Sequence, residues 1–303
     1  MGNSFNNLID IKSLSTAQIE GITALALRFE KALESGAVES KCTGKNLAFL
    51  FFENSTRTRF SFEMACHNLG VRIFNFDAST SSLQKGESLV DTVENLWAIG
   101  INGVVLRHSN PNVITTTERD LKTKIPFINA GNGSVAHPTQ ALLDYYTMKK
   151  HLGSLEGKKV VIIGDILHSR VAKSNIELLS RFGANVICCA PRYFIDEQIK
   201  GITWSENLKE CLENADVTMC LRIQKERIEE NIPFEKYIKD FQVHEGNINK
   251  KSLLMHPGPA NRDIEVSSKL LNDKQGQTIL EQAKNGVFVR MAVIDLLLGG
   301  ESA

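Results

Sequence analysis

The chain has 303 residues, 42% of them apolar and 23% charged, which suits two globular domains of ordinary size, each with its own core. Thirty-five Lys and Arg balance thirty-five Asp and Glu, so no net field gathers nucleic acid or an anionic membrane, and any anion specificity must come from local clusters. No run approaches the roughly 20 apolar residues of a membrane span, and the polar start "MGNSFNNLID" lacks a signal-peptide layout; the expected ligand is a small molecule and the expected compartment the cytoplasm.

In chain order, β-rich runs alternate with longer amphipathic ones. "NLAFLFF" (46–52), "VRIFNF" (71–76), "GVVLR" (103–107) and "IPFINA" (125–130) predict the strands of one parallel sheet with covering helices. "HPTQALLDYYTMKKHLG" (137–153) reads as a single helix, with Pro138 in its first turn and Gly153 just past its end. The alternation restarts at "KKVVIIGD" (158–165) and continues with "ANVICCA" (184–190), "DVTMCL" (216–221) and "SLLMHP" (252–257). A final apolar stretch, 287–299, has helical spacing and is expected to pack back across the domain junction. The fold class is therefore α/β: two Rossmann-like domains, each a parallel sheet flanked by helices, joined by interdomain helices. The expected boundaries are 1–136 for the first domain, 137–152 for the connecting helix, 153–285 for the second domain and 286–303 for a C-terminal helix.

The stretch "FFENSTRTRF" (51–60) follows the first strand, and Phe62, Ala65, Cys66 and Leu69 then recur at helical spacing with Gly70 as a stop. "NSTRT" is thus a strand-to-helix turn. Free N–H groups and a positive macrodipole at such a turn make Ser55, Thr56, Arg57 and Thr58 a candidate phosphate cradle. Capping by Ser55 alone would leave Arg57 and Arg59 unexplained. A Walker loop fails at its candidate, Gly44-Lys45, because Glu39 stands five residues before the pair and Asn46 follows the lysine. "VVIIGDILHSR" offers one glycine, Gly164, where a dinucleotide fingerprint needs three. Cys42, Cys66, Cys188, Cys189, Cys211 and Cys220 show no paired spacing and read as reduced, mostly buried thiols; neither metal nor disulfide is indicated.

Taken together, "FFENSTRTRFSFEMA", "SSLQKGES" (81–88), "VLRH" (105–108), "HPTQALLD", "GDILHSRVAKSN", "LRIQKER" and "HPGP" resemble the catalytic chains of the aspartate/ornithine carbamoyltransferase family, and "HSRVAKSN" and "RIQKER" its aspartate branch. The resemblance covers nearly the whole chain. It implies that 1–136 is the carbamoyl-phosphate-binding domain, contributing Ser55, Thr56, Arg57, Thr58 and Arg107, joined by His137 and Gln140 of the connecting helix, and that 153–285 binds L-aspartate. Arg57 and Arg107 suit a phosphate dianion. Thr58, Arg107 and His137 would meet the carbonyl oxygen that becomes an oxyanion on attack, making Arg57, Thr58, Arg107 and His137 the catalytic set.

On the aspartate side the resemblance implies Arg170, Arg222 and Gln224, two arginines for two carboxylates. Pro257 and Gly258 match a loop whose backbone carbonyls face the attacking amine. Relatives acting on ornithine carry "HCLP" where this chain has "HPGP", His256 to Pro259, and need an acid for the substrate's ammonium. Lys85, in a Ser- and Gly-rich segment, would read alone as part of a solvated loop. The resemblance instead makes it an aspartate-binding residue reaching a neighbouring subunit with Ser81 or Ser82, Ser81 being favoured by the count back from Lys85. A homotrimer with shared sites follows.

His137 alone would read as a helix cap; beside Arg107 and Gln140 it reads as a neutral ring donating a hydrogen bond, since the helix dipole disfavours imidazolium. Lys225 and Arg227 are expected on a mobile loop, with 224–247 as the lid. His168, Asp165 and the other histidines carry no comparable case. In the expected mechanism carbamoyl phosphate binds first, aspartate follows and the domains close. The amine then attacks, and the leaving phosphate takes its proton, with no cofactor or metal. Two other readings stay open, a carbamoyltransferase for another amino acid and a non-catalytic scaffold. Regulatory chains or a dihydroorotase stay open as partners, since no motif for either surface is read.

Overall fold

The computed structural model describes residues 5–77, 81–224 and 234–299, which divide into two compact units, Met1–Leu142 with Lys284–Ala303 and Leu143–Ala283. Among the described residues no helix is long and apolar enough to cross a membrane.

The first unit begins with α1 (Thr16–Ser35), opened by a capping box between Ser15 and Gln18 and closed by Gly36 in the left-handed region. Then come β1 (Asn46–Phe51), α2 (Thr56–Leu69), β2 (Arg72–Phe76), a 3₁₀ turn (Ser82–Lys85), α3 (Leu89–Ala98), β3 (Gly103–His108), α4 (Val113–Asp120) and β4 (Phe127–Asn132). The four strands pair in parallel in the order β2-β1-β3-β4. β1, β3 and β4 are buried along almost their whole length because helices cover both faces. One side of this core is Ala48, Leu50, Val104, Leu106 and Phe127 against Val93 of α3 and Ile114 of α4. α5 (Pro138–Leu152) carries the chain into the second unit, and from Pro138 to Met148 it is buried on every side, including the polar Thr139, Gln140, Asp144 and Thr147.

In the second unit β5 (Lys159–Ile163), α6 (Arg170–Arg181), β6 (Asn185–Cys189), β7 (Thr203–Ser205), α7 (Leu208–Leu212), β8 (Val217–Cys220), α8 (Phe234–Phe241), β9 (Leu253–Met255) and α9 (Ser268–Leu271) follow. The sheet is again parallel, in the order β7-β6-β5-β8-β9. α10 (Gln277–Leu298) begins ten residues before the apolar stretch that announces it in the sequence, because its first turns are polar. Its later part returns to the first unit, where Asp295 receives Ser40 at 3.2 Å and Arg290 donates to Ser61 of α2 at 2.9 Å.

The doubly wound α/β class read from the sequence is the class observed. All six cysteines are buried free thiols, and burial pushes Cys42 and Cys66 up to about 12, so both stay protonated and inert at neutral pH.

Candidate active site

Strand order fixes where each unit can bind a ligand. In β2-β1-β3-β4 the chain leaves β1 for one neighbour and returns on its other side as β3, so a crevice opens beyond the C-terminal ends of β1 and β3. In β7-β6-β5-β8-β9 the same reversal lies between β5 and β8.

At the first switch point, Ser55 ends the turn after β1 and stands at the N-cap of α2, yet its side chain makes no capping hydrogen bond, and no acidic residue lies in the helix's first turn. Thr58 is buried, while Thr56 and Arg57 face outward. Arg59, which the turn alone could claim, is taken by an i,i+4 pair with Glu63 at 2.9 Å. Arg107 pairs across from Phe51 at the end of β3. Its guanidinium donates to Ala130 O of β4 at 3.0 Å and lies 3.3 Å from the Glu53 carboxylate, between the exits of β1 and β4.

The turn from β4 into α5 is compact because Gly133, at φ +47°, lies against the next loop, where a Cβ would come within 2.7 Å of Ser109 O. It delivers His137 and Gln140, both buried, to the start of α5, with His137 O accepting the first helical bonds from Gln140 and Ala141. Nearby, Arg290 ties the beginnings of α2 and α5, stacking 4.9 Å over Phe62 and donating to Ser61 and Thr139.

At the second switch point Gly164, at φ +114°, ends β5 where a Cβ would stand 3.1 Å from Leu221 O and 3.2 Å from the Tyr237 hydroxyl. Ser169 caps α6 through Ala172 N, and Arg170 is the helix's first residue, nearly buried, in a first turn again without an acid. Arg222 and Gln224 follow β8, and the Gln224 side chain donates to His168 O at 3.0 Å. Asp165 is fully buried and receives the His168 backbone N–H at 3.1 Å and ring Nδ1 at 2.9 Å, as well as the Gln224 backbone. Burial pushes its carboxyl above the usual aspartate range, against the pull of His168. After β9, Gly258 donates to His256 Nδ1 at 2.8 Å and takes φ +74°, which glycine adopts without strain, so Pro257 and Gly258 form a tight loop.

A helix start is positive, and a cation placed there is unfavourable unless an anion arrives. Both switch points carry this arrangement, Arg57 on α2 and Arg170 on α6, with no acid in either first turn. Both helix starts therefore favour an anionic group.

The family model described as aspartate/ornithine carbamoyltransferase, carbamoyl-P binding domain, matches residues 6–150, and that described as the Asp/Orn binding domain of the same family matches residues 156–297. The chain belongs to the aspartate/ornithine carbamoyltransferase family. It is 41% identical over 304 residues to the aspartate carbamoyltransferase catalytic subunit of Flavobacterium psychrophilum, covering 97% of each chain. It is 43% identical over 303 residues to that of Thermus thermophilus, covering 98% of this chain and 99% of the other. Among solved structures it resembles Trypanosoma cruzi aspartate transcarbamoylase in complex with carbamoyl aspartate and phosphate, with a TM-score of 0.88 at 30% identity, covering 98% of this chain and 96% of that one. It also resembles the catalytic subunit of M. jannaschii aspartate transcarbamoylase, with a TM-score of 0.86 at 32% identity and coverage of 97% and 98%.

Within this carbamoyltransferase chain the first sheet gathers Ser55, Thr56, Arg57, Thr58, Arg107, His137 and Gln140 at the ends of the adjacent strands β1, β3 and β4. The second gathers Arg170, Arg222, Gln224, Pro257 and Gly258 at the ends of β5, β8 and β9. Ser81 and Lys85 lie beyond the C-terminal end of the edge strand β2, with Lys85 exposed on its 3₁₀ turn. The Ser82 side chain, Lys225 and Arg227 lie outside the described residues. The span 224–247 differs from an open loop in one part, since 234–241 is α8 with Tyr237 and Phe241 buried. The sequence reading did not single out Glu53 or Glu265, and it set Asp165 aside. An acid directly after a strand's terminal glycine, with a histidine three residues on, was the available signal for Asp165. Among the described residues, no group of three or more His, Cys, Asp or Glu is arranged to hold a metal ion.

Proposed function

We propose that this chain transfers the carbamoyl group of carbamoyl phosphate to the α-amino group of L-aspartate, giving N-carbamoyl-L-aspartate and phosphate, in pyrimidine biosynthesis. The observation that carries the choice of aspartate is the charge at the second switch point. Arg170 and Arg222 stand there, while its acid, Asp165, is buried and bonded to His168 and Gln224. Two carboxylates suit that crevice; among the described residues, the acid at this switch point, Asp165, is already bonded and does not serve the side-chain ammonium of ornithine. The name carried by the relatives from Flavobacterium psychrophilum and Thermus thermophilus points the same way, as does the product complex of the Trypanosoma cruzi protein.

Ser55, Thr56, Arg57, Thr58 and Arg107 hold the phosphate, with Gln140 and His137 on the carbamoyl group, and Arg170, Arg222 and Gln224 hold aspartate. The amine lone pair attacks the carbamoyl carbon, whose carbonyl becomes an oxyanion received by Thr58, Arg107 and His137. The bond from carbon to the bridging oxygen then breaks, and the departing phosphate takes the amine proton. Positioning of this kind supplies about 7 to 11 kcal/mol of the barrier. Pro257 and Gly258 turn carbonyl oxygens toward the amine.

The direct test measures phosphate release from carbamoyl phosphate with aspartate and ornithine offered side by side. Release with aspartate alone is expected; release with ornithine alone would overturn the assignment. His137→Ala should lower turnover about 100- to 1000-fold, the effect of losing one oxyanion donor. The acidic limb of its pH profile should survive, because the ring acts as a neutral donor; an acidic limb that vanishes would make His137 a proton-transferring group instead.

We further propose a homotrimer in which Ser81 and Lys85 enter a neighbour's site. Lys85 is exposed, and Phe60 and Met64, one turn apart on α2, stand uncovered with Phe74 of β2. A cytoplasmic location fits six buried free thiols.

A further inference from the structure

Glu265 is 1% exposed, and a buried carboxylate is costly unless its oxygens are bonded. Its Oε1 accepts Ile223 N at 2.9 Å and Asn261 Nδ2 at 2.6 Å, while Oε2 accepts Asn261 N at 2.7 Å. The donors come from two segments that the proposed reaction uses. Ile223 stands between Arg222 and Gln224, and Asn261 closes the loop that begins at His256.

The first consequence is geometric. Ile223 is fully buried, and its carbonyl receives Asn261 Nδ2 at 3.4 Å, so both backbone groups of this residue are held. Side chains alternate along an extended segment, so fixing Ile223 fixes the side from which Arg222 and Gln224 project. The second concerns His256. Its Nδ1 accepts from Gly258 N, which assigns the ring hydrogen to Nε2, and that nitrogen lies 3.7 Å from Glu265 Oε2. This is longer than a hydrogen bond and acts as charge-dipole orientation of the ring that braces Gly258. The base of the device is stiff. Glu265 O accepts from Val243 N at 2.9 Å, Ser267 N returns to Val243 O at 3.0 Å, and the turn is closed by Asp263 N to Val266 O at 2.9 Å.

We propose that Glu265 is the positioning residue of the aspartate half-site, holding the segment of Arg222 and Gln224 and the loop of Pro257 and Gly258 in one register. It touches no substrate, and the inference rests on the function proposed above. A carboxylate is required because every group facing its two oxygens is a donor; an amide would set an NH₂ against another N–H.

Glu265→Gln keeps the volume and inverts one end of this pattern. We expect its KM for aspartate to rise roughly 30-fold and its kcat to fall, in the range set by losing hydrogen bonds to a charged group. Carbamoyl phosphate affinity, read by equilibrium titration of the same sample, should stay within about twofold, since its residues are in the other unit. Glu265→Asp, which keeps the charge, should recover part of the loss. A folded Glu265→Gln with unchanged aspartate KM, or with carbamoyl phosphate affinity falling equally, would overturn the inference. Should Glu265→Gln fail to fold, Asn261→Ala removes two donors and leaves the carboxylate. An aspartate KM about fivefold higher is expected there, and an unchanged one sinks the proposal. Wild type assayed alongside separates the two readings: no aspartate turnover in wild type defeats the function, whereas normal wild-type turnover beside an unaltered variant defeats only Glu265.

Discussion

Arg107→Ala leaves a folded protein that hardly turns over carbamoyl phosphate. Arg107 is buried to 8% exposure at the end of β3, with its guanidinium placed between Ala130 O and Glu53. Its removal takes away one forked contact to phosphate and one oxyanion donor. The donor alone accounts for about 100- to 1000-fold in turnover, and loss of the phosphate contact should carry the fall in kcat/KM past about 10⁴-fold. Stability should suffer far less. The hydrogen bond to Ala130 contributes about 1 kcal/mol, the ion pair to the partly exposed Glu53 no more than about 1 kcal/mol, against a typical total of about 5 to 15 kcal/mol. Arg57→Ala, on the outer side of the same turn, should lose activity comparably with almost no change in melting temperature. Phosphate-release kinetics beside a thermal melt check both; near wild-type turnover in either variant would mean that the anion binds elsewhere.

Much of this arrangement was legible before any coordinates. The strands β1, β3, β5 and β6 hold continuous apolar runs bounded by glycine and polar residues, because a parallel sheet covered on both faces leaves little room for a polar side. β7 escaped because three residues at an edge, Thr203 to Ser205, are too few to show a period. α8 escaped because its buried positions, Tyr237 and Phe241, are embedded in a run of Lys, Glu and Asp that reads as solvated loop.

The candidate site divides along the same line. Ser55 to Thr58, His137 and Gln140 cluster in short motifs at predictable helix starts, and Arg107 ends an obvious strand. Glu265 and Asn261 act through backbone N–H groups that no side-chain pattern announces, and only the His168 three residues on marks Asp165. Ile223 is brought to Glu265, and Gln224 to Asp165, only by the β5-β8-β9 order of the sheet, whereas His168 reaches Asp165 through a local turn.

Arg222→Ala should lose aspartate while keeping carbamoyl phosphate. Truncating one partner of a close charge pair costs about 2 to 5 kcal/mol, so KM for aspartate should rise by two orders of magnitude or more, with phosphate affinity within about twofold of wild type. Arg222→Lys should recover little, because a point charge cannot reproduce a planar fork against a carboxylate. Arg170→Ala adds a thermodynamic signature. This arginine opens α6 in a first turn without an acid, where the macrodipole works against a cation by about 0.3 to 1 kcal/mol. Its removal relieves that repulsion, which offsets the packing lost, so the melting temperature should hold while aspartate binding collapses. A residue placed for the fold loses stability when deleted; one placed for a ligand loses only the ligand. If Arg170→Ala melts well below wild type and still binds aspartate normally, the arginine serves the fold, and the electrostatic reading of the second crevice falls with it.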